Sequence, residues 1–408
     1  MDNAMKIGLY IFSLAFGGAE RVVSRLSSIL ETHGHSVYVI LDDLSNVQYE
    51  HSGTLLSIGI PHNTHGLKNI KNIFDRSKKL QKYKLQYQFD VVISFLFLPN
   101  IVNILSKTKD CKTFVSIRNH FLSHKYDSIS SFVSHVLAKK YYKKADGVIS
   151  VSELVRQDAI KHLHIPENKS FVLYNPYDIE EINSISKNDL PGNLDIDKKN
   201  DKETFTFVTT GRHFRQKGFW HLIKSFYLLS KEVDNVRLVL IGDGEQREKI
   251  ELLIEELDLK EKVILTGFQK NVFAIEKHCN VYVMTSLFEG FPNALVEAMC
   301  LGLPVISTDC KSGPREILAP NTSISETAKS IEKANYGILV PPLENDENWM
   351  ADNITKSEKQ LADAMKLIMN KELFAYYSSQ SKKRAADFSF GSCYAAINNI
   401  LKKKEYYG

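Results

Sequence analysis

Short apolar runs alternate with stretches of helical spacing along most of the chain. Lys6 to Phe12 is an apolar run rich in β-formers and predicts a buried parallel strand. Gly17-Gly18 follows, and from Ala19 the residues Val22, Val23, Leu26 and Ile29-Leu30 fall on one helical face. Gly34 ends that helix, and His35 to Leu41 reads as the next strand. Strand, glycine turn, helix and strand make one unit of a doubly wound sheet. Asp90–Phe95, Cys111–Ile117, Asp146–Val151 and Phe171–Tyr177 are further strand candidates. Ser152 suits an N-cap, with Glu153 in the first turn behind it.

The pattern lapses between Asp178 and Glu203, where Pro191-Gly192 and Asp/Lys clusters have linker composition. It resumes with strand candidates at Thr204–Thr210, Arg237–Ile241, Lys262–Thr266, Val281–Met284 and Pro304–Thr308. Helical spacing lies between them. The alternation predicts a second parallel sheet with both faces covered. The fold class is therefore α/β, with two Rossmann-like parallel-sheet domains. The expected boundaries are 1–177 for an N-terminal domain, 178–203 for a linker and 204–386 for a C-terminal domain.

Composition changes this picture little. A chain of 408 residues exceeds what one core usually supports, so two domains are the default. A net charge of +4 does not suggest a nucleic-acid partner. The five cysteines are scattered with no Cys-x-x-Cys pair, which argues against a disulfide framework or structural zinc and fits a reducing cytosol. The longest apolar run, Val91 to Leu105, is broken by Ser94, Pro99, Asn100 and Asn103 and is too short to span a bilayer. The start of the chain has no signal-peptide pattern.

Two segments of the first half are basic. Lys68, Lys71, Arg76, Lys78, Lys79, Lys82 and Lys84 stand against a lone Asp75. In Ser128–Lys144, Ile129, Phe132, Val133, Val136, Leu137 and Tyr141 recur at helical spacing, with Lys139, Lys140, Lys143 and Lys144 at the end. Such a helix can lie on an anionic membrane surface, or pack on its own domain with solvated lysines, and two basic segments in one half favour a membrane-facing, surface position for both.

The candidate chemistry gathers at strand ends. Arg212 and Lys217 lie just past the first strand of the second half, between glycines Gly211 and Gly218. A planar guanidinium and a point-charge ammonium suit a diphosphate. Glu289 lies in a Gly/Pro-interrupted loop after Met284, and Glu297 in the helix that follows. Pro292 suits that helix's first turn, and Gly302 and Pro304 stop it. Its free N–H groups favour an anion or a hydroxyl-rich ligand. On one edge of a parallel sheet, Arg212, Lys217, Glu289 and Glu297 can line one crevice. Each has a plainer reading as solvated surface charge. Gly17-Gly18 fits either a tight turn or a close approach to phosphate. His120, past the strand ending at Ile117, can bond a substrate or be structural.

Together these residues resemble a known family. Gly211-Arg212 … Lys217-Gly218, Gly242-Asp-Gly244, Glu289-Gly-Phe-Pro-Asn-Ala-Leu-Val-Glu297 and Gly302-Leu-Pro-Val305 are similar to retaining glycosyltransferases of family 4, with the GT-B architecture of two domains facing across a cleft. Gly17-Gly18-Ala-Glu-Arg21 resembles the family's opening loop. The resemblance implies a nucleotide-diphospho-sugar donor held mainly by the C-terminal domain. Arg212 and Lys217 would neutralise the diphosphate, with backbone at Gly17 and Gly18 opposite. Glu297 would hold the ribose, Glu289 would face the sugar, and His120 would contact it. Backbone near Phe268 would bracket the base, and Phe291, Pro292, Asn293, Ala294 and Leu295 would line the donor site. Arg and Lys would replace a metal, and no Asp-x-Asp signature stands in a cleft loop. Residues 387–408 resemble the family's last helix, which returns to the N-terminal domain. Ser312-Gly-Pro-Arg-Glu-Ile-Leu318 resembles members that build bacterial surface glycans, often from UDP-galactose or UDP-N-acetylgalactosamine. The expectation is a hexose or N-acetylhexosamine transferase acting on a polyprenyl diphosphate-linked glycan, in the cytoplasm and peripheral on the inner membrane face. A soluble or protein acceptor, a nucleotide-sugar isomerase and a non-catalytic binder are the alternatives.

Overall fold

The computed structural model describes residues 4–15, 17–60, 67–118, 129–190, 194 and 204–402. The chain divides into two compact units, 1–177 with 390–408, and 178–389.

The first unit contains β1 (Lys6–Tyr10), α1 (Gly18–Thr32), β2 (Ser36–Leu41), β3 (Thr54–Ser57), α2 (Leu67–Tyr87), β4 (Val91–Phe95), α3 (Phe97–Leu105), β5 (Lys112–Ile117), α4 (Ile129–Tyr141), β6 (Gly147–Ser150), α5 (Glu153–Leu163) and β7 (Ser170–Val172). The strands form one sheet in the order β3-β2-β1-β4-β5-β6-β7, with all six pairings parallel. Alternation along the strands sorts the core into two layers. Ile7, Leu9, Val37, Val39, Val91 and Ile93 meet Val22, Val23, Leu26 and Leu30 of α1 on one face. Tyr10, Ile40 and Val92 meet Leu80 and Val102 on the other.

The second unit contains α6 (Ile179–Ile185), β8 (Phe205–Thr210), α7 (Phe219–Glu232), β9 (Val236–Ile241), α8 (Arg247–Glu256), β10 (Val263–Gly267), α9 (Val272–Glu276), β11 (Val281–Met284), α10 (Asn293–Cys300), β12 (Val305–Thr308), α11 (Pro314–Leu318), β13 (Glu332–Lys333), β14 (Ile338–Val340), α12 (Lys356–Ile368) and α13 (Lys371–Ala386). Its sheet runs β10-β9-β8-β11-β12-β14-β13, parallel except for the β13 edge. Leu222, Ile223, Phe226 and Leu229 of α7 and Leu361, Met365 and Ile368 of α12 share its core with Phe207, Leu238 and Val283. Each such side chain contributes roughly 1.5–3 kcal/mol when fully buried.

The last helix, α14 (Phe390–Lys402), belongs to the first unit. Cys393, Ile397, Ile400 and Leu401 enter the α1 face of that core. Tyr394 stacks on His33 with ring centroids 3.5 Å apart.

Two expectations change. The stretch 178–203 is not linker throughout. It opens with α6, capped by Asp178, whose Oδ1 accepts from the Glu181 N–H at 2.8 Å, and Ile182 is buried in the second unit. The basic segment of α2 is not all surface. Arg76 is 1% exposed, its Nε 2.8 Å from Asp42 Oδ2, while Tyr10 donates to the other oxygen of that carboxylate. Desolvation lifts Asp42 to about 6, although Arg76 pulls the other way. Lys84 is 2% exposed and donates to Asn103 O at 3.2 Å and Thr113 Oγ1 at 3.1 Å.

Burial pushes the Lys84 ammonium down to about 8 from its ordinary 10.5, against smaller upward pulls from Cys111 and Asp146. Between those values the unfolded chain binds more protons, so stability rises with pH across that window. The full penalty is present below pH 8. Lys84→Met is therefore expected to improve relative to the parent by about 3 kcal/mol at pH 7 compared with pH 10.5, at 1.36 kcal/mol per pKa unit. Denaturant melts at the two pH values check this, and a variant difference that does not change with pH contradicts it.

Candidate functional site

The second sheet reverses its direction of growth between β8 and β11, with β9 and β10 on one side and β12 and β14 on the other. The loops after β8 and β11 therefore leave one sheet edge side by side, at the kind of crevice where open parallel sheets take ligands. The first loop carries Arg212 and Lys217, and the second carries Ser286 and Glu289.

Lys217 and Glu289 meet directly. Lys217 Nζ donates to Glu289 Oε1 at 2.7 Å, and Ser286 Oγ donates to the same oxygen at 2.8 Å. The two charged side chains are 25% and 10% exposed, so the pair is screened less than a surface one yet stays reachable. Glu289 Oε2 has no hydrogen-bond partner among the described residues, which leaves an acceptor for a hydroxyl.

Backbone bonds hold the pair in place. The Leu287 N–H donates to Gln216 O at 2.8 Å, Gln216 Nε2 to Phe288 O at 2.9 Å, and Thr285 Oγ1 to Lys217 O at 2.9 Å. Gly218 makes this approach possible. Its φ is +60°, and a Cβ there would lie 2.4 Å from Thr285 O. On the other flank the Glu289 N–H donates to Lys311 O, and the Ser312 N–H to Glu289 O, both at 2.8 Å. Ser312 Oγ donates to Gly290 O at 2.8 Å. Behind that loop Arg315 Nη2 lies 2.6 Å from Asp309 Oδ2 and 2.7 Å from Glu332 Oε2. Burial raises the Asp309 carboxyl, with Arg315 and the Ala328 N–H pulling it down.

The remaining expected site residues fall into several places. Arg212 is exposed, its guanidinium 4.0 Å from the centre of the Phe214 ring, and it does not join the Lys217–Glu289 contact. Pro292 is the N-cap of α10, one residue before the helix rather than in its first turn. No side chain caps α10 and no acid lies in its first turn, an arrangement that suits an anion at a helix start. Asn293 and Ala294 are half-buried at that end. Phe291 and Leu295 are core residues. Phe291 packs edge-on against Phe388 at 5.3 Å and Leu295 is fully buried, so their side chains are committed to packing and their backbone is what a ligand can meet. Glu297 is 4% exposed on the inner side of α10. Phe268, just after β10, is 68% exposed, a large aromatic surface at the same sheet edge.

Gly17 and Gly18 lie in the first unit. Gly17 is the N-cap of α1 in extended conformation, and Gly18 is the first helical residue. His120 lies outside the described residues. Sequence reading assigned no role to Ser286, Gln216 or Ser312. Ser286 had a visible signal, three residues before Glu289. The other two act through bonds to residues far along the chain. Among the described residues no group of three or more His, Cys, Asp or Glu is placed to hold a metal.

Comparison with known proteins places this arrangement. The family model described as Glycosyl transferases group 1 matches residues 193–383, and the one described as Glycosyltransferase Family 4 matches residues 16–181. An uncharacterized glycosyltransferase of Methanocaldococcus jannaschii is 34% identical over 343 residues, 81% of this chain and 82% of that protein. The N-acetylgalactosamine-N,N'-diacetylbacillosaminyl-diphospho-undecaprenol 4-alpha-N-acetylgalactosaminyltransferase of Campylobacter jejuni is 28% identical across 89% of this chain and 97% of that protein. The structure of Alr3699/HepE from Anabaena in complex with UDP superposes with a TM-score of 0.70 at 18% identity, covering 98% of this chain and 100% of that one. With its paired parallel-sheet domains and motifs in both halves, the chain belongs to glycosyltransferase family 4 and has the GT-B fold.

Proposed function

We propose that this glycosyltransferase moves a hexose or N-acetylhexosamine, with retention of configuration, from a UDP-sugar to a glycan carried on a polyprenyl diphosphate. The observation that carries the reading is the Lys217–Glu289 contact at the β8/β11 edge, beside the uncapped start of α10. Breaking the sugar–phosphate bond leaves an oxocarbenium-like sugar and puts new negative charge on the departing diphosphate. A cation fixed there before reaction lowers the barrier more than one that binds the ground state equally well. Lys217 supplies that cation, and Arg212, stacked on Phe214, supplies a planar fork at the same loop. Glu289 Oε2 accepts a sugar hydroxyl, and Glu297 the ribose hydroxyls. The two basic side chains compensate the diphosphate charge in place of a metal. The Campylobacter relative, whose name specifies an undecaprenol-linked acceptor and an N-acetylgalactosaminyl group, favours UDP-N-acetylgalactosamine or UDP-galactose and a lipid-linked acceptor.

The membrane part of the proposal rests on α4. Phe132, Val133 and Val136 are 53%, 48% and 47% exposed, and Lys139, Lys140, Lys143 and Lys144 are exposed just after them. The helix is seated through Ala138, with Tyr142 buried immediately beyond it. Apolar side chains outward with lysines alongside suit the headgroup boundary of an anionic bilayer, at about 1 kcal/mol per lysine near the surface. No helix among the described residues is long and apolar enough to cross a membrane. We therefore place the enzyme peripherally, on the inner face of the cell membrane. Changing the four lysines to Glu is expected to abolish sedimentation with phosphatidylglycerol liposomes, and unchanged sedimentation removes α4 from this role.

Turnover tests the whole reading. Incubation with UDP- and GDP-sugars, in buffer containing EDTA, is expected to release UDP only when a polyprenyl diphosphate-linked glycan is present. The new linkage is expected to keep the donor's anomeric configuration by NMR. Equal transfer to a soluble acceptor, or interconversion of the UDP-sugar without acceptor, would replace this function with another.

A further inference from the structure

Arg118 is a charged group with no carboxylate partner among the described residues. It follows β5 directly, at the carboxyl edge of the first sheet, and is half-buried. Its guanidinium donates to Asn175 Oδ1, the one hydrogen-bond acceptor it meets among the described residues. Among the described residues the ionisable groups that act on it are Tyr177 and Cys393, and neither is a carboxylate. Desolvation pushes it down to about 10, a large shift for arginine. Arg25 of α1 converges on the same segment. Its Nη1 donates to Pro176 O at 3.0 Å, and its guanidinium lies 5.1 Å from the centre of the Tyr177 ring. Two cationic side chains thus gather around Asn175, Pro176 and Tyr177.

A partly desolvated charge with no opposite charge nearby is costly unless something else supplies one. Guanidinium offers five N–H donors in a rigid fork, matched to the oxygens of a phosphate. The carboxyl edge of a parallel sheet is where such folds take ligands.

We propose that Arg118 is an anion-binding side chain of the first unit and holds a phosphate oxygen of a diphosphate group. The ligand class rests on the reading above, in which donor and acceptor both carry a diphosphate. The side chain's own surroundings call for an anion in either case. A purely structural Arg118 would instead serve to tie the end of β5 to the segment after β7 through Asn175.

Binding by the full-length protein separates the sources without requiring turnover. One arm measures UDP affinity by calorimetry. The other measures partition onto phosphatidylcholine vesicles containing geranylgeranyl diphosphate, against vesicles containing geranylgeraniol. Arg118→Gln is expected to weaken one of the two at least 10-fold, with Arg118→Lys in between and Asn175→Ala close to the parent. A loss on the vesicle arm assigns the diphosphate to the lipid, and a loss on the UDP arm assigns it to the donor. Parent-like affinity of a folded Arg118→Gln variant for both probes overturns the proposal. So does a loss in Asn175→Ala equal to that in Arg118→Gln. Should Arg118→Gln fail to melt cooperatively, Arg118→Lys decides, with parent-like binding of both probes as the contrary result. A parent enzyme that transfers sugar while these variants bind normally would sink the role of Arg118 and leave the transferase reading intact.

Discussion

Replacing Lys217 with alanine is expected to lower kcat for sugar transfer about 10²- to 10³-fold, the usual cost of removing one preorganised charge donor. UDP affinity should fall by less, because the cation acts mainly on charge that develops as the bond breaks. Lys217→Arg should not restore the rate, since a planar fork on a longer side chain cannot occupy the ammonium's position 2.7 Å from Glu289. Glu289→Gln separates the two roles. Without ligand, Lys217 is held by the Glu289 carboxylate. The amide removes that competitor, so UDP should bind as well as in the parent or a few-fold tighter, while turnover drops. Equal losses of UDP affinity in Lys217→Ala and Glu289→Gln would show that the contact merely holds the loop together. Steady-state kinetics and UDP calorimetry on the three variants supply the comparison.

Gly242→Val is expected to lower the melting temperature of the second unit by about 6–12 °C and to weaken UDP binding more than 10-fold. Gly242 has a φ of +131°, and its N–H donates to Gly267 O at 3.0 Å. A Cβ there would lie 2.0 Å from Gly211 O, the carbonyl that precedes Arg212. A β-branched residue at this φ costs on the order of 1–3 kcal/mol, and overpacking adds about as much. About 3 kcal/mol in a unit of roughly 200 residues converts to that shift. The loss of affinity follows because relief requires moving Gly211, and Arg212 and Lys217 with it. A variant that melts and binds UDP like the parent would mean this close strand-end contact does not position the loop.

Much of this was legible because parallel strands are covered on both faces. Val91–Phe95 is buried at every position and reads as an apolar run interrupted only at Ser94. Thr54–Ser57 and Ile338–Val340 escaped, since three or four residues are too few to show a period. Arg76 and Lys84 read as surface charge because lysine and arginine usually are. Their interior partners lie 34 residues away at Asp42 and 29 away at Thr113. The spacing along α4 revealed an apolar stripe but not what covers it, and the structure leaves Phe132, Val133 and Val136 exposed. At the site, both loops could be read from glycines and charges at strand ends. The direct meeting of Lys217 with Glu289, 72 residues apart, needed the β8/β11 adjacency. The separate position of Arg212 on Phe214 depends on a side-chain rotamer, which spacing does not encode.

Amide hydrogen exchange with and without saturating UDP tests the site most directly. Protection is expected to concentrate in two segments, 211–218 and 286–297, with the first turn of α10 among the most strongly slowed. Bound UDP that leaves both segments unchanged and protects a different part of the chain would contradict the account.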